Sequence, residues 1–98
     1  MEVLTTEEFD KWFYSLTLKE RTQVDARIAK IEKYGHFSDW RNLGDGVAEL
    51  KWKNGRRIYF SKVGKQVLLL LNGGFKNAQK KDIKKAKHIL RRHADDET

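Results

Sequence analysis

Ninety-eight residues without a cysteine or a proline make one domain, read here as 1–98, with room for a modest core. Lysine and arginine number 21 against 14 aspartates and glutamates, a net charge of +7 with a pI of about 9.7. That balance favours a polyanionic partner, nucleic acid before acidic protein or anionic membrane. Disulfide and thiolate chemistry are excluded, and the longest apolar run, Val67 to Leu71, is too short to span a bilayer. With no leader-like start, the expected location is cytoplasmic.

Met1 to Leu4 reads as a short first strand. Thr5-Thr6-Glu7-Glu8 carries a capping-box signature, with Thr5 as cap and Glu8 reaching back. Phe9, Trp12, Phe13 and Leu16 recur at helical spacing and predict a short helix with an aromatic core face. Thr17-Leu18-Lys19-Glu20 repeats the box and opens a second helix, buried through Leu18, Val24, Ile28 and Ile31 and stopped at Gly35. His36 to Gly46 is expected to be a loop, pinned by Phe37, Trp40 and Leu43.

Val47 to Phe60 predicts a β-hairpin around Asn54-Gly55. A two-residue turn would set Lys51 against Ile58 and Glu49 against Phe60, mixing charges with apolar groups. A three-residue loop, Lys53-Asn54-Gly55 with Gly55 left-handed, shifts the pairing by one. Leu50 then faces Ile58, Ala48 faces Phe60, and Glu49, Lys51, Arg57 and Tyr59 share the other face. Register follows the choice that buries one face consistently, so the second is expected. After a turn at Val63-Gly64-Lys65, the strand Gln66 to Asn72 lacks alternation, which implies that both its faces are covered. Helices stacked on one face, with the loop or a curl of the sheet on the other, would do this.

Gly73-Gly74 ends that strand, and Asn77 is the expected cap of a last helix from Ala78 to about His93, with Ile83, Ala86, Leu90 and His93 on one side. Eight lysines and arginines fall between Lys76 and Arg92 against the single acid Asp82. Lys80 and Lys81 oppose the helix dipole, a cost that a bound anion would offset, although Asp95, Asp96 and Glu97 lie in the tail. No phosphate-cradling glycine signature is present. His36, His88 and His93 have no ligand spacing, so no metal and no cofactor are expected.

Four separated pieces, Leu43 to Lys51, Gly55 to Phe60, Val67 to Lys76 and Gln79 to Lys87, resemble the small toxins of the RelE/ParE superfamily. The nearest branch is the phage Gp49-like, HigB-type addiction module killer proteins, and the likeness runs from Phe9 to His93. The resemblance implies an α+β fold, with an N-terminal helical hairpin packed on a mainly antiparallel four-stranded sheet and a C-terminal helix. It further implies a type II toxin neutralised by a cognate antitoxin protein, cutting mRNA at the ribosome without metal. In that chemistry a ribose 2′-hydroxyl attacks the adjacent phosphate. The hairpin loop is shorter than the usual Gly-Pro-Gly form, and the last helix has no tyrosine where the RelE branch carries its catalytic one.

Arg57 matches the family's arginine, and its planar fork suits a phosphorane. Lys51 lies opposite it, and Lys76 follows the double glycine. Lys51, Lys76 or Tyr59 would share acid–base work, with neighbouring cations easing deprotonation of Tyr59. Glu49 would orient Arg57 or Lys51, or form a cross-strand ion pair. Lys53, Arg56, Lys80, Lys81 and Lys84 would hold the RNA backbone. Two other readings are a ParE-like gyrase inhibitor without nuclease activity and a non-catalytic nucleic-acid-binding module.

Overall fold

The computed structural model describes residues 1–96; Glu97 of the acidic tail lies outside the described residues. The elements run β1 (Glu2–Thr5), α1 (Glu7–Ser15), α2 (Leu18–Tyr34), β2 (Trp40–Gly44), β3 (Val47–Lys51), β4 (Arg56–Gly64) and β5 (Val67–Phe75). A 3-10 turn (Lys76–Ala78) then leads into α3 (Gln79–Asp96). The sheet has five strands in the order β1-β5-β4-β3-β2, with β1 parallel to β5 and the remaining pairs antiparallel.

The α+β class holds, and the strand count rises from the expected four. Trp40–Gly44, expected as loop, pairs with β3 and forms an edge. Only Leu43 of its five side chains is even partly buried, so no apolar alternation marks the strand in the sequence.

The leucine run decides the layering. Leu68 and Leu70 join Phe9, Val24, Ile31, Ala48, Leu50, Ile58 and Phe60 in one core beneath α1 and α2. Leu69 and Leu71 join Val47, Tyr59, Ala86 and Ile89 in a second core beneath α3. The helices therefore sit on both faces rather than stacked on one. Leaving Leu69 and Leu71 open would forfeit about 1.5–3 kcal/mol each, and the stripe Ile83, Ala86, Ile89 and Leu90 is what covers them.

The hairpin adopts the three-residue register: Ala48 pairs with Phe60, Glu49 with Tyr59, Leu50 with Ile58 and Lys51 with Arg57. Gly55 has φ 101°, the left-handed conformation that closes the loop. The capping box of α2 forms between Thr17 and Glu20, and Gly35 ends the helix with φ 64°. In α1 the cap is Thr6 rather than Thr5, because Thr5 still pairs with Leu70 in the sheet. Glu8 is drawn instead to Arg92 of α3.

β5 runs through the double glycine to Phe75, and Asn77 lies inside the 3-10 turn instead of capping α3. Both glycines allow close approaches. A Cβ on Gly73 would stand 2.5 Å from the Trp12 ring, and one on Gly74 would stand 2.0 Å from Asp82 Oδ2. Among the described residues no helix is long and apolar enough to cross a membrane.

Candidate active site

Register alone assembles the site. Arg41, Glu49, Tyr59 and Asn72 are successive partners across β2, β3, β4 and β5, and they share the face that α3 covers. The next row toward the hairpin tip holds Lys51, Arg57 and Gly74. Helix α3 starts over the first row, so the second is left at its open end.

In the covered row, Glu49 is fully buried and holds Arg41 Nη2 at 2.8 Å; Gln79 Nε2 donates to both its oxygens, at 3.3 and 3.1 Å. Both oxygens are thus engaged, and the carboxylate serves as a strut between β2, β3 and α3. The cross-strand ion pair forms, but with Arg41; Glu49 orients neither Arg57 nor Lys51. Tyr59 is also fully buried, and among the described residues its hydroxyl has no hydrogen-bond partner. Burial first, then the charges of Asp82 and Glu49, push this phenol well above its ordinary range, and Arg57 and Arg41 offset only part of that. The expectation that cations ease its deprotonation is overturned, because desolvation outweighs them. Tyr59→Phe removes an unsatisfied buried hydroxyl and is expected to leave stability unchanged or raise it by about 1 kcal/mol. Thermal unfolding checks this, and a clear loss would show that the hydroxyl has a partner.

In the open row, Arg57 is half-buried. Its Nη1 donates to the carbonyls of Trp52 and Arg56, at 3.2 and 3.0 Å, which ties the guanidinium to the hairpin loop. Lys76 reaches the same place from the 3-10 turn after β5: its backbone N–H donates to Gly55 O at 2.8 Å and its side chain lies over Gly55. Lys51 completes the group. Among the described residues none of Lys51, Arg57 and Lys76 has an ion-pair partner. Lys53, Lys80, Lys81 and Lys84 are exposed around them.

Arg56 does not join this surface. It is 1% exposed, pairs with Glu20 at 3.6 Å, donates to Gln23 at 3.2 Å and lies over the Trp52 ring. It ties the hairpin to α2 and cannot reach an RNA backbone. The neighbouring Arg27 is a second tie, donating to the carbonyls of Lys51, Phe37 and Asp39.

The opposite sheet face carries a groove of about 380 Å³ lined by Met1, Phe37, Trp40, Ala48, Phe60 and Leu68, with Lys62 its one charged side chain. Its Ala48, Phe60 and Leu68 belong to the core under α1 and α2, on the face away from Lys51 and Arg57. Among the described residues no three histidine, aspartate or glutamate side chains stand close enough together to hold a metal ion.

The family described as phage derived protein Gp49-like matches residues 11–94. This chain belongs to that family. An uncharacterized protein of Haemophilus influenzae is 36% identical over 90 residues, covering 89% of this chain and 90% of the relative. The isolated E. coli RelE toxin superposes with a TM-score of 0.62 at 16% identity, over 76% of this chain and 82% of RelE. The intact E. coli RelBE toxin–antitoxin complex gives 0.60 at 17%, over 76% of this chain and 94% of the matched chain. At such identities the likeness is one of fold, and this Gp49-like protein has the RelE-type fold.

Three site residues of this Gp49-like protein escape a reading of the sequence: Arg41, Gln79 and Asp82. Arg41 sits on the unmarked strand β2. Gln79 and Asp82 belong to the start of α3, whose placement over the charged face required the helix to cross to the other side of the sheet. A signal for Asp82 did exist, since it is the only acid in the basic stretch.

Proposed function

We propose that this protein is the toxin of a toxin–antitoxin pair, held inactive by a partner protein in the cytoplasm. Free of that partner, it cuts mRNA on the ribosome without a metal ion. The observation that carries the reading is the trio Lys51, Arg57 and Lys76, without ion-pair partners among the described residues, at the open end of a half-covered sheet face on a fold shared with RelE. Burying or clustering cations without carboxylates is costly unless an anion completes them. The positive excess of the chain and the exposed lysines of α3 give a phosphate backbone its approach.

Arg57 meets the phosphorane that forms as a 2′ oxygen attacks phosphorus. Its anchored guanidinium is pre-aimed, which is where electrostatic catalysis gains most. Lys51 and Lys76 deliver a proton to the departing 5′ oxygen. Lys53, Lys80, Lys81 and Lys84 hold flanking phosphates. Primer extension on reporter mRNA after brief induction tests the reading: translation-dependent cuts should arise with wild type and vanish with Arg57→Ala. Growth arrest with intact mRNA would overturn it and turn attention to gyrase.

A further inference from the structure

The site as described has a charge stabiliser and proton donors but no proton acceptor. Tyr59 is held neutral, and both oxygens of Glu49 are engaged. Asp82 is a further acid on this face, beside the row of Arg57. Among the described residues its carboxylate accepts no hydrogen bond and forms no ion pair.

Its placement is specific. An aspartate in the first turn that only complemented the helix dipole would lie in water. Asp82 instead folds inward, with Oδ2 2.0 Å from the point where a Cβ on Gly74 would stand, so glycine alone admits it. Asn72 Nδ2 donates to the Asp82 carbonyl at 3.1 Å and fixes this turn against β5. Gly74 is the cross-strand partner of Arg57, which is in turn the partner of Lys51. Partners in adjacent strands stand roughly 5 Å apart, so the carboxylate overhangs the row that would hold the phosphate.

We propose that Asp82 is the general base of this site, taking the 2′-hydroxyl proton of the nucleotide whose phosphate Arg57 holds. The assignment rests on the nuclease reading above. As the proton passes to Asp82, the 2′ oxygen bonds to phosphorus. The bond from phosphorus to the 5′ oxygen breaks, and that oxygen leaves with a proton from Lys51 or Lys76. The products are a 2′,3′-cyclic phosphate and a 5′-hydroxyl, and solvent exchange resets both groups.

Lys85 and Lys81 from α3 and Tyr59 from β4 interact electrostatically with Asp82; Arg57 from β4 and Lys51 and Glu49 from β3 stand in the rows of the sheet face it covers, to which β5 contributes only uncharged Asn72 and Gly74. Burial raises the Asp82 carboxyl above its ordinary value, against the pull of Lys85 and Lys81. A higher proton affinity makes the ionised carboxylate a better base. Activity should then fall as pH drops through that raised value, because protonation removes the acceptor.

The test is single-turnover cleavage of reporter mRNA on programmed ribosomes by wild type, D82N and Arg57→Ala, across the pH range that ribosomes tolerate. Binding to ribosomes whose mRNA carries a 2′-O-methyl group at the cut site is measured in parallel. D82N is expected to cleave roughly 10²–10³-fold more slowly, to lose the acid limb of the profile and to bind as wild type does. D82N cleaving at the wild-type rate overturns the assignment and leaves the nuclease reading standing. A slow D82N that keeps the acid limb makes Asp82 a positioning residue, and one that loses binding makes it structural; either overturns the proposal. A wild type as inert as Arg57→Ala would sink the nuclease reading and, with it, this one.

Discussion

Arg57→Ala should lower the cleavage rate by roughly 10²–10³-fold, the usual cost of removing one donor aimed at developing charge, with little loss of fold. The guanidinium contributes to stability only through Nη1, on the carbonyls of Trp52 and Arg56. Those carbonyls sit at a surface hairpin loop where water can replace the donor, so the loss should be about 1 kcal/mol. Arg57→Lys is the sharper comparison. It keeps the charge but loses the fork that grips two oxygens while staying tied to the loop, so it should recover only part of the rate. Rates from single-turnover cleavage and midpoints from thermal unfolding separate the two effects. Equal rates for wild type and Arg57→Ala, at equal stability, would remove Arg57 from the chemistry.

Much of this arrangement was legible because strand parity is strict. Placing Leu50 opposite Ile58 put Glu49, Lys51, Arg57 and Tyr59 on one face, and the structure holds that register. The same parity already contained the correction to Arg56. An even-numbered residue on β4 shares the face of Ile58 and Phe60, so one of two adjacent arginines had to point into the helical-hairpin side while the other faced α3. Reading both as surface cations ignored the alternation that the register imposed.

What could not be read was the third dimension. The leucine run shows that both faces of β5 are covered, but nothing local says which helix takes which face. That choice buries Glu49 and Tyr59 under α3 and turns two candidate chemical groups into a strut and a wall. Edge strand β2 was hidden for a different reason: with one neighbour and mostly exposed side chains, it needs no apolar pattern. Its Arg41 supplies the charge that lets Glu49 be buried, so missing the strand also misassigned the glutamate.

The largest stability loss is expected from Arg27→Ala, a residue far from any reacting atom. From α2 the guanidinium donates to the Lys51 carbonyl, to Phe37 O at 3.0 Å and to Asp39 O at 2.6 Å, and it stacks 4.3 Å from the Trp52 ring. It therefore ties the helix to two segments that meet each other through the Lys51 N–H on the Asp39 carbonyl at 2.9 Å, the end of β3 and the connection into β2. Hydrogen bonds from a charged donor are worth about 1.5–3 kcal/mol each, but water can reach the Asp39 carbonyl, so the sum is discounted to about 2–4 kcal/mol. In a domain of this size that shifts the unfolding midpoint by roughly 10–25 °C. Arg27→Lys should restore little, since one ammonium cannot span three carbonyls or stack flat on indole. Cleavage should fall as well, even well below the midpoint, because the Lys51 carbonyl anchors the strand end that presents the Lys51 side chain beside Arg57. Circular dichroism melts with rate measurements at low temperature decide the matter. A midpoint shift of only a few degrees would mean that the connection into β2 holds itself, and an unchanged low-temperature rate would mean that Lys51 does not depend on the clamp.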